Sequence, residues 1–358
     1  MKNSKLIGLG FSDLYLLEAP HECCYKQRSD SMQLLPFDGS LLIELKAFYS
    51  HLLNLFSAHG KEGSERPNSV AVVWPCDAET KTSHSGGGAV LRLRATHLKA
   101  ANGQSIFYVR RYIQSVTTLE QLGVPNAIVT RLLSENLKQG LVMIGGKAGS
   151  GKTTLACSLI TQRLKQWGGV CVTAENPIEL EISGRHGKGM CFAHEVDSDA
   201  AMATAVINFL RTSPNIIFLG EIRDAFVAKE AVLAALSGHL VVTTFHGHSI
   251  VGALSRFAGF IGDNNLLADA LSVIAFLELS QEKDQRSLFN IKREPSVGSD
   301  GLSLPSLVSK KLTIDLLSLL GPEGAPLASM VRGGNFSMLS SEVSRQRNWM
   351  LQQKQSNI

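Results

Sequence analysis

One glycine-rich segment of the sequence carries the residue types that bind phosphate. Residues 146–153 read Gly-Lys-Ala-Gly-Ser-Gly-Lys-Thr and match the pattern G-x-x-x-x-G-K-[ST] in full. Glycines allow successive backbone N–H groups to point at phosphate oxygens, and Lys152 is expected to reach the terminal phosphates of ATP. The Thr153 hydroxyl is expected to bind Mg²⁺. The predicted phosphate-binding residues are Gly146, Lys147, Ala148, Gly149, Ser150, Gly151, Lys152, Thr153 and Thr154.

The flanking residues decide between this interpretation and an ordinary glycine-rich turn. Residues 141–144 form an apolar run that is typical of a buried strand, and residues 153–166 carry apolar side chains at helical spacing. The phosphate-binding motif requires the order strand, loop and helix. The sequence therefore favours a nucleotide site over a turn without function.

Two glutamates follow later apolar strands. Glu221 comes after the strand predicted over residues 216–219, which is typical of a Walker B motif, so Glu221 is predicted to bind the metal together with Thr153. Glu175 follows a strand over residues 170–173 and can polarise the water that attacks the γ-phosphate, or hold the hydration shell of Mg²⁺. An ordinary acidic loop is an equal alternative for Glu175.

Other polar residues near these strand ends have simpler interpretations. Asp224 is interpreted mainly as the N-cap of the next helix. His246 closes a strand predicted over residues 240–244 and is placed to hydrogen-bond the γ-phosphate, whereas His239 stands at the other end of that strand. A metal site made of His246 and His248 is disfavoured, because no carboxylate or thiol lies nearby in the sequence.

The bulk composition limits the class of protein. A chain of 358 residues that is 44% hydrophobic and 18% charged predicts a globular protein with substantial cores. A net charge of +4 with scattered basic residues gives no electrostatic footprint for nucleic acid. Six cysteines without a C-x-x-C pair disfavour a zinc site and fit a reducing compartment. No segment reaches membrane-spanning length, so a cytoplasmic protein is expected.

The order of predicted elements gives an α/β protein in three regions. Residues 1–124 read as an α+β domain, with a helix over 41–56 and strands over 69–74, 89–95 and 105–112. Residues 125–264 alternate strands and helices, which predicts a parallel sheet covered on both faces. The helices predicted there cover residues 126–137, 153–166, 200–212 and 225–236.

The last region, residues 265–358, is expected to be helical. It begins with a helix predicted over 266–279, continues through a polar stretch over 282–305, and ends in a polar tail over 340–358. The composition of that tail fits either an exposed helix or a frayed end.

Four ordered segments resemble the motifs of the secretion-system ATPase family of the PilT/GspE type. They are the phosphate-binding segment, Glu-Asn-Pro-Ile-Glu at residues 175–179, Gly-Glu-Ile-Arg-Asp at 220–224, and Ser-Gly-His-Leu-Val-Val-Thr-Thr-Phe-His at 237–246. Upstream, residues 10–16, 91–94 and 118–122, together with Arg110, are similar to the family's N-terminal strands and linker.

The resemblance implies a fold, an assembly and an activity. The fold is a PAS-like N-terminal domain followed by a RecA-like domain, with ATP between them, and the assembly is a homo-hexameric ring. The activity is Mg²⁺-dependent ATP hydrolysis for a type IV secretion, conjugation or type IV pilus machine. The implied partners are inner-membrane platform proteins, reached from the cytoplasmic face with peripheral membrane association allowed, and no direct contact with nucleic acid is expected.

The resemblance also adds three arginines, Arg92, Arg94 and Arg110, as candidates to reach the nucleotide. Guanidinium groups neutralise phosphate charge and stabilise its transition state. Without the resemblance, Arg92 and Arg94 are better explained as alternate residues on the solvated face of a strand. The complete candidate catalytic set is Glu175, Glu221, Lys152, His246, Arg92, Arg94 and Arg110.

The sequence departs from the family pattern at several positions. Asn176 replaces the usual aspartate, Ser213-Pro214-Asn215 replaces Asp-Pro-Asp, and a tetracysteine zinc element is absent. These departures leave the subgroup open, with the DotB/TraJ-like branch as one candidate. Two other functions also stay open. One is a RecA-like motor that acts on nucleic acid, and the other is a scaffold that binds ATP without hydrolysing it.

Overall fold

A computed structural model of the protein describes residues 5–27, 34–58, 69–74, 91–111, 116–282, 309–321 and 324–355. The chain forms two compact units, residues 1–114 and 115–358. The sequence-based boundary after residue 124 therefore differs from the structural one. Leu119 and Val124 are buried in the core of the second unit, which is why residues 116–124 belong there.

The first unit is an antiparallel sheet with one long helix. Its sheet has the strand order β3-β2-β1-β6-β5-β4. The elements are α1 (Lys5–Gly8), β1 (Phe11–Leu16), β2 (Cys24–Gln27), β3 (Leu35–Pro36), α2 (Leu42–Ala58), β4 (Ser69–Trp74), β5 (Leu91–Lys99) and β6 (Ser105–Arg111). These bounds confirm the predicted helix and strands, except that residues 89–90 and 112, and the glycines at 86–88, lie outside the described residues.

The core of the first unit explains this arrangement. Leu45, Phe48 and Leu52 recur at helical spacing along α2 and are buried. They share a cluster with Leu93 of β5 and Phe107 of β6, which belong to the alternating buried positions of their strands. One face of the sheet thus packs on α2.

The second unit is an α/β fold built on an eight-stranded sheet, in the order β14-β13-β7-β12-β11-β8-β10-β9. Its elements are α3 (Asn126–Leu132), β7 (Gly140–Gly146), α4 (Lys152–Trp167), β8 (Gly169–Glu175), β9 (Gly184–His186), β10 (Gly189–Glu195), α5 (Asp199–Phe209), β11 (Ile216–Glu221), α6 (Ala225–Leu236), β12 (Leu240–His246), α7 (Ile250–Ile261), α8 (Asn264–Ala270), β13 (Leu271–Glu282), β14 (Ser309–Ser318), α9 (Ala325–Arg332) and α10 (Leu339–Gln355).

The central strands of this sheet, from β13 to β10, run parallel, while β14 and β9 pair antiparallel at its two ends. Helices cover both faces, as the continuous apolar strands predict. Along β7, Leu141 and Met143 join the core shared with α5 to α8, and Val142 and Ile144 join the core shared with α3 and α4. The expected α/β fold is confirmed.

One predicted helix is wrong, and the helix predicted over residues 126–137 ends earlier, at Leu132. The sequence predicts a single helix over residues 266–279, whereas α8 ends at Ala270 and β13 begins at Leu271. The run from Val273 to Leu277 pairs in parallel with β7 and is buried. A short apolar run does not distinguish a buried strand from a helix by its periodicity, and the neighbouring strand decides. The region after residue 265 is therefore partly β-structure, and its polar tail forms α10.

Candidate functional site

The phosphate-binding segment forms a tight loop between β7 and α4. Gly151, the N-cap of α4, has a φ of +92°, in the left-handed region that favours glycine. At Gly146, a Cβ atom would come within 2.5 Å of Ser150 Oγ and 2.7 Å of the Leu277 carbonyl oxygen, so only glycine fits there. The loop therefore depends on glycine both for its backbone conformation and for its close packing.

Two side chains of this loop are buried polar groups. Ser150 is buried, and its Oγ has no hydrogen-bond partner among the described residues. Lys152 Nζ donates to the carbonyl oxygen of Lys147 at 3.0 Å and lies 3.4 Å from His246 Nδ1. Burial lowers the pKa of Lys152, while the carboxylates of Glu221 and Glu179 act in the opposite direction.

The strand order brings His246 and Glu221 to the same end of the sheet as this lysine. β12 lies between β7 and β11, and His246 is in register with Gly146. His246 Nε2 is 3.1 Å from Glu221 Oε1. Because an ammonium group can only donate, His246 Nδ1 accepts from Lys152, and Nε2 then carries the hydrogen that it donates to Glu221.

The second oxygen of Glu221 is also engaged. Arg223 donates to Glu221 Oε2 from Nε at 3.0 Å and from Nη2 at 2.8 Å. Both oxygens of the Walker B glutamate are therefore held by neighbours, one by a histidine and one by an arginine. Sequence reasoning gave Arg223 no role, although its spacing of two residues from Glu221 could have suggested this contact.

Glu175 occupies a buried position at the end of β8. Its side chain is 1% exposed, and Thr173 Oγ1 donates to its Oε1 at 3.0 Å, while Oε2 has no partner among the described residues. Burial raises the pKa of Glu175 to about 8; the Thr173 hydroxyl opposes this shift, and the charge of Glu179 adds to it. The role of Thr173 was not predicted from the sequence. Its spacing could have suggested the contact, because residues i and i+2 of a strand lie on the same face.

Gly220 of β11 lies close to the Glu175 side chain. A Cβ atom at position 220 would lie 3.1 Å from Glu175 Cγ, closer than most side chains approach one another. The register between β11 and β12 shifts between Leu219 and Glu221, and the carbonyl oxygen of Gly220 accepts a hydrogen bond from Thr244 Oγ1. The absence of a side chain at Gly220 therefore lets β11 lie close against the Glu175 side chain.

Two other polar residues have structural roles. Asp224 Oδ1 accepts from the backbone N–H of Phe226 at 2.7 Å and caps α6, which confirms its interpretation as an N-cap. His239 Nδ1 lies 2.7 Å from the Pro214 carbonyl oxygen at the start of β12. Within the described ranges, no group of three or more histidine, cysteine or acidic residues forms a metal cluster.

The three candidate arginines lie in the first unit. Arg92 and Arg94 alternate with buried Leu91 and Leu93 along β5 and point away from the core. Arg110 is the register partner of Arg94, and its Nε donates to Asp13 Oδ1 at 2.8 Å. The structure thus brings Lys152, His246 and Glu221 into contact in the second unit, where Glu175 lies beside Gly220. Contact between the arginines and a nucleotide stays a prediction.

With this geometry established, similarity to known proteins identifies the family. A family model described as "Type II/IV secretion system protein" matches residues 74–294, which is more than half of the chain. The chain belongs to this family. The match includes every motif of the candidate site in the second unit.

Individual secretion-family proteins are similar over shorter stretches. The chain is 33% identical over 175 residues to a type II secretion system protein E of Pseudomonas aeruginosa, covering 48% of this chain and 33% of that protein. It is 36% identical over 142 residues to the type IV pilus assembly ATPase PilB of Myxococcus xanthus, covering 40% of this chain and 24% of PilB. The chain thus spans about a third of the length of these relatives, or less.

Solved structures of secretion and pilus proteins share the fold. The pilus retraction motor PilT with bound ADP superposes with a TM-score of 0.67 at 20% identity, covering 95% of this chain and 87% of PilT. The Legionella pneumophila ATPase DotB superposes with a TM-score of 0.66 at 18% identity, covering 98% of this chain and 89% of DotB. These likenesses confirm the predicted fold class. Among the described helices of this secretion-family protein, none is long and apolar enough to span a bilayer.

Proposed function

We propose that this protein is a Mg²⁺-dependent ATPase that works as a ring in a type IV secretion, conjugation or type IV pilus machine. The observation that carries the proposal is the contact chain from Lys152 through His246 to Glu221. It connects the phosphate-binding loop to the Walker B carboxylate at one edge of the sheet. Membership of the type II/IV secretion family supports the same activity.

The residues of the loop fit a nucleotide. Ser150 Oγ is buried and has no hydrogen-bond partner within the part of the chain that the structure describes. The start of α4 presents backbone N–H groups that have no acceptor within the helix. Lys152 is held by a carbonyl oxygen of its own loop, a weaker acceptor than phosphate. A triphosphate supplies the oxygens that all three groups need.

The oxygen donors near the loop also fit Mg²⁺. Thr153 and Glu221 supply a hydroxyl and a carboxylate, which are hard ligands of the kind that Mg²⁺ combines with phosphate oxygens and water. Bound Mg²⁺ would neutralise charge on the terminal phosphates. Glu221 must first release its contact with His246 or Arg223, so these two residues hold the carboxylate until it is needed.

Glu175 is the residue best suited to take a proton from water. Its Oε2, which has no partner among the described residues, is an acceptor. A pKa of about 8 makes the group a stronger base than an exposed carboxylate once it is ionised. A metal ion bound nearby would favour that ionised form. Glu221, with its ordinary hydrogen-bonded surroundings, is assigned to the metal.

The assembly and its partners are inferred from the family. The proposal includes a homo-hexamer with a PAS-like domain and a RecA-like domain. In it, Arg92, Arg94 and Arg110 reach the nucleotide, and inner-membrane platform proteins are contacted from the cytoplasmic face. These parts rest on the family membership, since PilB, PilT and DotB are named as an assembly ATPase, a retraction motor and an ATPase.

A second function, an ATP-binding scaffold that does not hydrolyse, has one specific observation in its favour. A Glu175 carboxyl group with a pKa of about 8 is largely protonated at neutral pH and cannot then accept a proton.

Phosphate release from ATP and Mg²⁺ separates these functions. Wild-type protein is expected to release phosphate, and Lys152→Ala is expected to lose about 100-fold or more of this activity. Lys165→Ala is the matched control, because Lys165 is an exposed residue of the same helix. Glu221→Ala is expected to bind ATP and hydrolyse it slowly. ATP binding by the wild type without phosphate release would favour the scaffold, and equal activity in Lys152→Ala would refute the assigned site.

A further inference from the structure

The helix that follows the phosphate-binding loop also holds the segment through which the chain enters the second unit. We name residues 116–139 the entry segment; it contains α3 and leads from the first unit to β7. The first turn of α4 forms part of the candidate nucleotide site, whereas its last two turns contact the entry segment. One rigid element therefore contacts both places.

Three side chains of α4 make these contacts. Gln162 Oε1 accepts from the Leu119 backbone N–H at 2.7 Å, and Gln162 Nε2 donates to Glu120 Oε2 at 3.0 Å. Trp167 Nε1 donates to the Leu133 carbonyl oxygen at 2.9 Å.

Arg163 supplies the strongest part of this connection. Its Nη1 donates to the carbonyl oxygens of Leu132 and Ser134 at 2.8 and 3.1 Å, and its Nη2 donates to that of Leu137 at 2.5 Å. The residue is 5% exposed, and these three partners are carbonyl oxygens rather than carboxylates. Burying a guanidinium group in this way costs free energy, so the contact is specific and holds one arrangement of the entry segment.

Apolar side chains also join the entry segment to α4. Leu119, Ile128 and Leu137 of the entry segment are fully buried in one cluster with Leu159 and Ile160 of α4. Closely packed side chains transmit a displacement instead of absorbing it. A shift of α4 therefore moves the entry segment or breaks these contacts.

Nucleotide binding changes the contacts at the other end of α4. In the structure, Lys152 Nζ donates to the Lys147 carbonyl oxygen and approaches His246, and Ser150 Oγ meets no partner among the residues that the structure describes. A triphosphate competes for Lys152 and gives Ser150 and the first N–H groups of α4 an acceptor. The forces on the first turn of α4 thus differ between the free and the bound states.

We propose that Gln162, Arg163 and Trp167 are positioning residues that couple the nucleotide state of the loop to the entry segment. They do not touch the nucleotide; they act through α4. The entry segment adjoins the first unit along the chain, so it is the part of the second unit best placed to pass a change onward. The inference rests on the proposed nucleotide site.

Hydrogen–deuterium exchange tests this coupling, with the full chain measured alone and with Mg²⁺ and the non-hydrolysable analogue AMP-PNP. In the wild type, binding of the analogue is expected to change the exchange of peptides within residues 116–139. In Gln162→Ala and Trp167→Phe, which avoid the buried arginine, this change is expected to fall to less than half, while analogue affinity stays within about two-fold. Gln166→Ala, an exposed neighbour on α4, is the control and is expected to respond like the wild type.

Three outcomes overturn the coupling. The first is analogue binding that leaves exchange over residues 116–139 unchanged in the wild type. The second is an unreduced response in both Gln162→Ala and Trp167→Phe. The third, absence of analogue binding in the wild type, removes the proposed function as well, and so distinguishes the two failures. Arg163→Lys keeps the positive charge but loses the planar guanidinium group that donates to several carbonyl oxygens at once. In this variant, the change in exchange over residues 116–139 is expected to be smaller than in the wild type but not abolished.

Discussion

His246 Nε2 lies 3.1 Å from Glu221 Oε1, and the other ring nitrogen of His246 lies 3.4 Å from Lys152 Nζ. One imidazole therefore connects the lysine of the phosphate-binding loop to the carboxylate of the Walker B strand. The connection crosses three adjacent strand ends, and it exists because β12 separates β7 from β11 in the sheet.

Removing this imidazole is expected to impair turnover more than binding. In His246→Ala, Lys152 and Glu221 lose their common partner, so phosphate release is expected to fall about 10- to 100-fold while ATP affinity changes by no more than a few-fold. Steady-state phosphate release and equilibrium titration with a fluorescent ATP analogue measure the two quantities. His248→Ala, an exposed histidine two residues away, is the control. Equal losses in both variants would argue against the bridge.

The raised pKa of Glu175 leads us to expect a specific pH dependence of ATP turnover. A base acts only when ionised, and burial raises the pKa of this carboxyl to about 8 in the nucleotide-free protein. Phosphate release is therefore expected to rise with pH on the acid side of its profile. Glu175→Gln is expected to lose about 100-fold or more of the activity, and its residual rate should not follow the same pH profile. A full rate in Glu175→Gln would transfer the role of base to another residue.

The same carboxyl predicts a dependence of stability on pH. Its folded pKa is raised from 4.5 to about 8, so within this window the folded state holds a proton that the unfolded chain has lost. Stability contributed by the protonated form is complete below the lower value and is lost as pH rises toward the upper one. Relative to Glu175→Gln, the wild type is expected to lose on the order of a few kcal/mol of unfolding free energy across the window.

Denaturant unfolding of both proteins at the two ends of that window measures the difference. The glutamine variant keeps the shape of the side chain without its titration, so effects of other groups cancel in the comparison. Parallel pH dependence of the two proteins would show that Glu175 is not perturbed as described.

Gly220 is predicted to be required for the position of Glu175. A Cβ atom there would lie 3.1 Å from Glu175 Cγ, so Gly220→Ala is expected to displace the carboxyl, lower turnover about 10-fold or more, and cost ~1–2 kcal/mol of stability. Gly259→Ala is a matched control, because a Cβ at Gly259 of α7 meets no atom within 4 Å. That control is expected to keep full activity and to gain slightly in helix stability. Turnover in Gly220→Ala equal to that of the control would count against the close contact.

Asn176→Asp restores a negative charge beside Glu175. A nearby like charge disfavours ionisation, so the pKa of Glu175 is expected to rise further and the acid limb of the pH–rate profile to move up by about half a unit to one unit. The isosteric pair leaves packing almost unchanged. A profile that stays in place, or moves to lower pH, would mean that Glu175 does not govern this limb.

Local features of the sequence predicted most of the site. The loop from Gly146 to Thr153, the strand before it and the helix after it are neighbours in the chain, so pattern and geometry agree. Glu221 and Glu175 are predicted site residues because each ends an apolar strand, and the structure places them at the ends of β11 and β8. The order of those strands is not local information, and neither His246 between Lys152 and Glu221 nor Gly220 against Glu175 could be predicted.

The segment predicted as a helix and found to be β13 shows that the fold, too, depends on contacts between distant parts of the chain. Residues 271–277 are apolar enough for either element, and the presence of β7 beside them makes a strand. The contacts of Arg163 with the entry segment could not be predicted from the sequence either. Arg163 resembles any basic residue on a helix until its three carbonyl partners are known.

Both outer strands of the large sheet, among the described residues, have features that discourage further pairing. β9 spans only three residues, and at the other margin Arg347 of α10 forms an ion pair with Asp315 of β14, which fastens that helix along the outermost strand. Short or covered outer strands discourage a second chain from extending a sheet by backbone hydrogen bonds. Contact with another chain at these two margins is then expected to depend on side chains, and its strength to vary with ionic strength.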